Sequence, residues 1–173
     1  MVIMINILTI LAMVPFGCQV TSAVFVGNSL GEGKPGKAKV YQVLITIYSF
    51  VLCAICSGLM VLYKEWVASL FTTDQELLST VSANLKWIGL FVTVHSLGNS
   101  MCGALRGMGK QTVATILIII SFYFVGNPIS VLLGFYKGLG LSGIIIGFIS
   151  GSLTMGILIF ITITWFSDWE GIS

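Results

Sequence analysis

The chain has 173 residues, and only 8% of them are Asp, Glu, Lys or Arg, against about 25% in an ordinary soluble domain. With 57% hydrophobic residues and a mean hydropathy of +1.06, it carries more apolar surface than one small core can hide, and the natural solvent for the surplus is lipid. A net charge of +2 from scattered Lys and Arg excludes the clustered basic face of a nucleic-acid binder, and four cysteines inside apolar runs do not form the framework of a secreted disulfide scaffold.

A charge at the bilayer centre is costly, so charge-free intervals outline the membrane spans. There are five: Met1 to Gly31, Val40 to Tyr63, Trp87 to Leu105, Gln111 to Tyr136 and Gly138 to Ser167. Each meets or nearly meets the roughly 20 residues a spanning helix needs. Taken in chain order, they place helices at about 3–30, 40–63, 76–105, 112–136 and 139–166 of one unit covering 1–173. The predicted fold class is therefore an all-α polytopic membrane protein. Runs such as Ile116-Leu117-Ile118-Ile119-Ile120 are apolar on every side, which excludes the alternating pattern of a β-barrel.

The first run has no basic leader and stays uncharged too long for a signal peptide, so it reads as a helix, interrupted by Pro15. Its polar positions Asn6, Thr9, Gln19 and Thr21 are expected to meet lipid where a neighbouring helix is missing. The loop Gly31 to Lys39 follows, and its G-x-x-x-x-G-K pattern ends in Ala38, where a phosphate-binding loop needs Ser or Thr; it reads as a tight basic turn. The second span holds Cys53-Ala54-Ile55-Cys56, a Cys-x-x-Cys that raises the alternative of a membrane thiol oxidoreductase. A thiol buried in apolar surroundings is inert, however, and the pair sits mid-span.

Before the third span, Thr73 and Glu76 are spaced as a capping box. Near the middle of that span stands His95, the only histidine, with Asn99 one turn on. Ionisable residues at that depth are functional candidates, and no span contains an Asp or Glu. His95 is thus the candidate for proton binding near neutral pH. The fourth span contains Tyr123, Asn127 and the potential kink Pro128; the fifth has Gly143, Gly147 and Gly151 at four-residue spacing, a stripe for close helix packing.

Five alternating spans put Lys34, Lys37, Lys39, Arg106 and Lys110 on one face, and Lys64, Lys86 and Lys137, diluted by Glu65, Asp74 and Glu76, on the other. The positive-inside rule makes the first face cytoplasmic, with Met1 outside and Ser173 inside. An odd number of spans beginning outside points to a further helix upstream.

Several stretches together resemble the multidrug and toxic compound extrusion (MATE) family of cation-coupled antiporters. Val14-Pro15-Phe16-Gly17, Ser22 and Val26-Gly27-Asn28-Ser29-Leu30-Gly31-Glu32-Gly33, followed by Ala38-Lys39, are similar to its helix and loop ending in V-G-N-x-L-G-x-G. Gly103-Ala104-Leu105-Arg106-Gly107-Met108-Gly109-Lys110-Gln111 is similar to its G-x-x-R-G-x-G-x-Q loop, and Tyr123-Phe124-Val125-Gly126-Asn127-Pro128 to its Y-x-x-G-x-P. Phe71-Thr72-Thr73-Asp74 is similar to an outer loop of eukaryotic members.

The resemblance implies helices eight to twelve of a two-lobed, roughly twelve-span transporter: an incomplete six-helix C-terminal lobe that exports organic cations or other xenobiotics by alternating access. It implies a plasma or vacuolar-type membrane, an N-terminal lobe as partner, and no metal, cofactor or nucleic acid. Where the family has an acidic residue in an Asp/Glu-Ser-Leu pattern, this chain has His95-Ser96-Leu97. A neutral imidazole takes H⁺ but is a poor ligand for Na⁺, so proton coupling is favoured. His95 is then the proton-coupling residue, Asn99, Tyr123 and Asn127 line the substrate path, and Pro15 and Pro128 let helices bend. Gly27, Asn28, Gly31, Gly33, Arg106, Gly107 and Gly109 form cytoplasmic loop motifs. A non-transporting membrane fragment is the other alternative.

Overall fold

The computed structural model describes residues 2–71, 75–165 and 169. Its elements are α1 (Val2–Gly31), α2 (Pro35–Leu62), α3 (Lys64–Ser69), α4 (Gln75–Gly107), α5 (Gln111–Ile119), α6 (Asn127–Val131) and α7 (Gly140–Trp165). α5 and α6 belong to one span, Gln111–Tyr136, continued by π-helical turns over Ile120–Gly126 and Leu132–Tyr136. Five helices are long and apolar enough to cross a membrane, and no strand occurs among the described residues.

α4 is the axis of the bundle. It packs against α1, α2 and α7, and 56% of its apolar stretch is buried, against 17% for the fourth span. Its polar residues explain why it takes the centre. Gln42 of α2 donates from Nε2 to Thr46 Oγ1 at 3.0 Å, and Ser100 of α4 donates to the same Thr46 oxygen at 3.1 Å. Higher up, Ser142 of α7 donates to Asn84 Oδ1 at 2.8 Å. The two bonds between helices, Ser100 to Thr46 and Ser142 to Asn84, are of a kind that contributes roughly 0.6 kcal/mol each on average in a membrane.

Close approach depends on small residues. A Cβ on Gly103 would meet the Gln19 carbonyl, one on Gly107 would lie 2.6 Å from the Ala23 carbonyl oxygen, and one on Gly27 3.3 Å from that of Gly107. This crossing of α1 and α4 also buries Gln19 to 4% exposure, so Gln19 does not meet lipid as expected. Asn6, Thr9 and Thr21 are exposed, and the two threonine hydroxyls are satisfied by their own helix, donating to the carbonyls of Ile5 and Gly17.

The helix boundaries differ from the charge-free intervals in a consistent way. α2 begins at Pro35, not Val40, because proline at the first helical position is pre-organised and Lys37 and Lys39 sit in an interfacial first turn where long basic side chains reach water. α3, a short helix after the second span, has no apolar period to reveal it. Thr73 of the expected capping box lies outside the described residues.

Pro128 lies between the two π stretches. A proline ring inside a helix collides with the carbonyl four residues back and removes a donor, and widened turns relieve both defects. Pro15, in contrast, is fully buried and lies within a helix unbroken from Val2 to Gly31.

Candidate functional site

At 1.5 Å per residue, about 16 Å of helix separates Arg106 from His95, roughly half of a bilayer's hydrocarbon thickness. There the His95 ring stacks on Phe91 of the same helix, with centroids 5.3 Å apart and an interplanar angle of 13°. Phe91 and His95 share a face by their four-residue spacing. Phe122, carried on the first π stretch of the fourth span, meets the imidazole edge to face at 6.2 Å. Phe148 of α7 touches both Phe91 and Phe122 with centroids 6.3 Å away. The three phenyl rings and His95, with Leu8, Ile88 and Ile145, line a cavity of about 290 Å³.

Among the described residues one polar group reaches the imidazole. Ser152 Oγ of α7, itself 1% exposed, lies 3.3 Å from His95 Nδ1. When Nδ1 is unprotonated the serine donates to it; when Nδ1 carries a proton the serine oxygen accepts. The same contact therefore serves both charge states of the ring. An apolar cavity with aromatic faces and one titratable nitrogen is suited to a hydrophobic cation, which the phenyl faces attract.

The expected path residues do not all converge on this point. Asn99 is half-buried on α4. Tyr123 is 68% exposed and Asn127 is exposed on the same face of the fourth span, while their neighbour Phe122 turns inward. No pattern in the sequence marks Ser152, Phe122 or Phe148. Only Phe91 carried a local signal, its spacing from His95; the others are joined to the site by tertiary packing.

The loop motifs divide into two groups. Gly27, Asn28 and Gly31 lie within α1, and Arg106 and Gly107 within α4, so the expectation that all seven residues form loops is corrected. Gly27 and Gly107 serve the helix crossing described above. Gly33 (φ +68°) and Gly109 (φ +74°) occupy the left-handed conformation after α1 and α4. The bonds Lys34 N–H to Ser29 O and Gly33 N–H to Leu30 O repeat as Lys110 N–H to Leu105 O and Gly109 N–H to Arg106 O, the paired pattern that closes a helix through a left-handed glycine.

The cysteines are all free thiols; Cys53 is fully buried, with Ser49 and Ser96 beside it. Among the described residues no group of three or more His, Cys, Asp or Glu could hold a metal ion.

A family model described as MatE matches residues 1–132. The chain belongs to the MATE family. It is 33% identical over 162 residues to multidrug and toxin extrusion protein 1 of Danio rerio, covering 94% of this chain and 27% of that protein. Against protein DETOXIFICATION 15 of Arabidopsis thaliana the identity is 28%, covering 91% of this chain and 33% of the relative. The crystal structure of the eukaryotic MATE transporter AtDTX14 superposes with a TM-score of 0.91 at 21% identity, over 98% of this chain and 38% of that one. This MATE chain thus spans about a quarter to a third of the length of the curated relatives it matches, and its five apolar helices make it an integral membrane protein.

Proposed function

We propose that this MATE chain forms part of the C-terminal lobe of a multidrug efflux transporter that exchanges organic cations for protons by alternating access. The observation that carries the reading is His95, seated in an aromatic cavity against Ser152. The imidazole is the proton site. When it is charged, its repulsion of a bound cation in a low-dielectric cavity is severe, so proton and drug exclude one another and each drives the other's release. The phenyl faces of Phe91, Phe122 and Phe148 hold the neutral-state cargo.

Asn99 supplies polar lining beside His95, and Tyr123 and Asn127 supply it from the exposed face of the fourth span. Pro15 and Pro128 are the points at which the first and fourth spans bend between states. The remaining spans of the transporter complete the lobe and supply the second one. Absence of any Asp or Glu within the five spans favours H⁺ over Na⁺, since sodium selects hard oxygen ligands and an imidazole offers none.

The test is flux in vesicles containing the complete transporter. An imposed pH gradient is expected to drive export of a hydrophobic organic cation, and a sodium gradient of equal size to drive none. Sodium-driven export without a pH gradient would overturn the assignment.

A further inference from the structure

Away from the His95 cavity, residues of α2 and α4 line a groove of about 520 Å³ at the end of the bundle that carries Lys86. Ala54, Gly58 and Val61 of α2 face Leu90 and Thr93 of α4 across it. Gly58 opens onto the hollow: a Cβ built there meets nothing within 4 Å. At 1.5 Å per residue, Lys86 stands about 30 Å along α4 from Arg106, one hydrocarbon thickness, so the two cations mark opposite interfaces of the membrane. Lys86 is exposed, its Nζ 5.5 Å from the centroid of the Trp87 ring, and no carboxylate pairs with it among the described residues. Tryptophan beside a basic residue at this level is an interfacial anchor.

A second observation lies below it. Ser57 lines the groove, and its buried hydroxyl has no hydrogen-bond partner. It packs against Gly89, whose built Cβ would be 3.2 Å from Ser57 Cβ, and Gly89 lies about 4.5 Å deeper along α4 than Lys86. An occupant with a phosphate at Lys86 and an apolar chain below it matches the groove's sequence of chemistries.

We infer that the groove between α2 and α4 is a phospholipid site: Lys86 and Trp87 hold the headgroup phosphate, and one acyl chain lies between Gly58 and Leu90. The lipid belongs to the leaflet opposite the Lys34–Lys39 loop, and the lysine selects its phosphate without reading the rest of the headgroup.

The experiment reconstitutes the full chain in phosphatidylcholine vesicles carrying a trace of phosphatidylcholine with a photoreactive group on one acyl chain. Adducts are mapped by peptide mass spectrometry after irradiation. They are expected to concentrate on 54–61 and 87–93. Gly58→Phe, which fills open space, should lower groove adducts about fivefold by excluding the chain from apolar contact, with labelling of α1 and α7 unchanged as the check on folding. Lys86→Gln should lower them about fivefold and Lys86→Arg should retain them, while Ile47→Phe, on an exposed part of α2, should leave them as they are. Adducts spread evenly over all exposed helix faces, a groove free of adducts, or a Gly58→Phe pattern identical to the parent's would overturn the site.

Discussion

Gly147 of α7 meets Ser130 of the fourth span so closely that a Cβ on the glycine would collide with the serine hydroxyl and backbone. The contact is the middle rung of a ladder. Gly143 faces Leu133 and Gly134, and Gly151 faces Gly126 and Phe122, so two four-residue small stripes run antiparallel, fastened by Ser130 Oγ donating to the Ile144 carbonyl at 3.0 Å. Gly147→Leu is expected to force the two spans apart and cost about 1–3 kcal/mol or more, as overpacking does. Gly17→Ala, whose added Cβ meets nothing within 4 Å, should be neutral within about 0.5 kcal/mol. Thermal unfolding of both variants in detergent checks this; equal midpoints would refute the ladder.

The stripe on α7 is legible in sequence because its three positions are all glycine. Its partner, Gly126, Ser130 and Gly134, is broken by a serine and interleaved with bulky residues, so it emerges only in the packed pair. The five spans are legible for a similarly direct reason: the energetic penalty of a charge in lipid places charges at the ends. That rule marks where apolar segments stop, not where helices do, which is why α2 begins ahead of Val40 and α3 escapes notice. At the site, the depth of His95 is legible from its position between charges, whereas Ser152, Phe122 and Phe148 reach it from other helices, and no spacing along the chain encodes their approach.

The two helix-closing glycines behave differently from the packing ones. Nothing lies within 4 Å of a Cβ built on Gly33 or Gly109, so the cost of a side chain there is backbone strain alone. Gly109→Ala is expected to destabilise by about 1–2 kcal/mol, the penalty of left-handed geometry for an L-residue. Gly31→Ala, in ordinary helix with open space, should show no loss. Urea or thermal midpoints of the pair decide; an unchanged Gly109→Ala midpoint would contradict the turn geometry.

Glu32 accepts from Lys34 at 3.1 Å and lies 3.7 Å from Lys37. The Lys34 hydrogen bond and charge, with the charge of Lys37, hold its carboxyl below the ordinary value of 4.5. A carboxyl depressed by folding contributes stability above its unfolded pKa and loses it as pH falls through the folded one. Glu32→Gln should therefore lower the thermal midpoint slightly at pH 7 in low salt, and not at all once the pH is well below about 4. The group lies in water, so high salt should erase the difference; a difference that persists in acid would contradict the pairing.

The topology follows from the same charges. In a background free of native cysteines, a cysteine at Lys37 or Lys110 is expected to be shielded from an impermeant thiol reagent added outside, and one at Glu65 to react. Labelling of the Lys37 and Glu65 positions from the same side would contradict the alternation of the five spans.

Proton coupling through His95 is tested most directly by export of a hydrophobic organic cation from vesicles against an imposed pH gradient, with surface expression matched among variants of the complete transporter. His95→Ala is expected to abolish proton-driven export while leaving equilibrium binding of the cation largely intact, because the phenyl rings remain. His95→Asp, which keeps a titratable group at that depth, should restore part of the coupling. A well-expressed His95→Ala variant that exports with the parent's rate and pH dependence would contradict the account and leave His95 as a packed core residue.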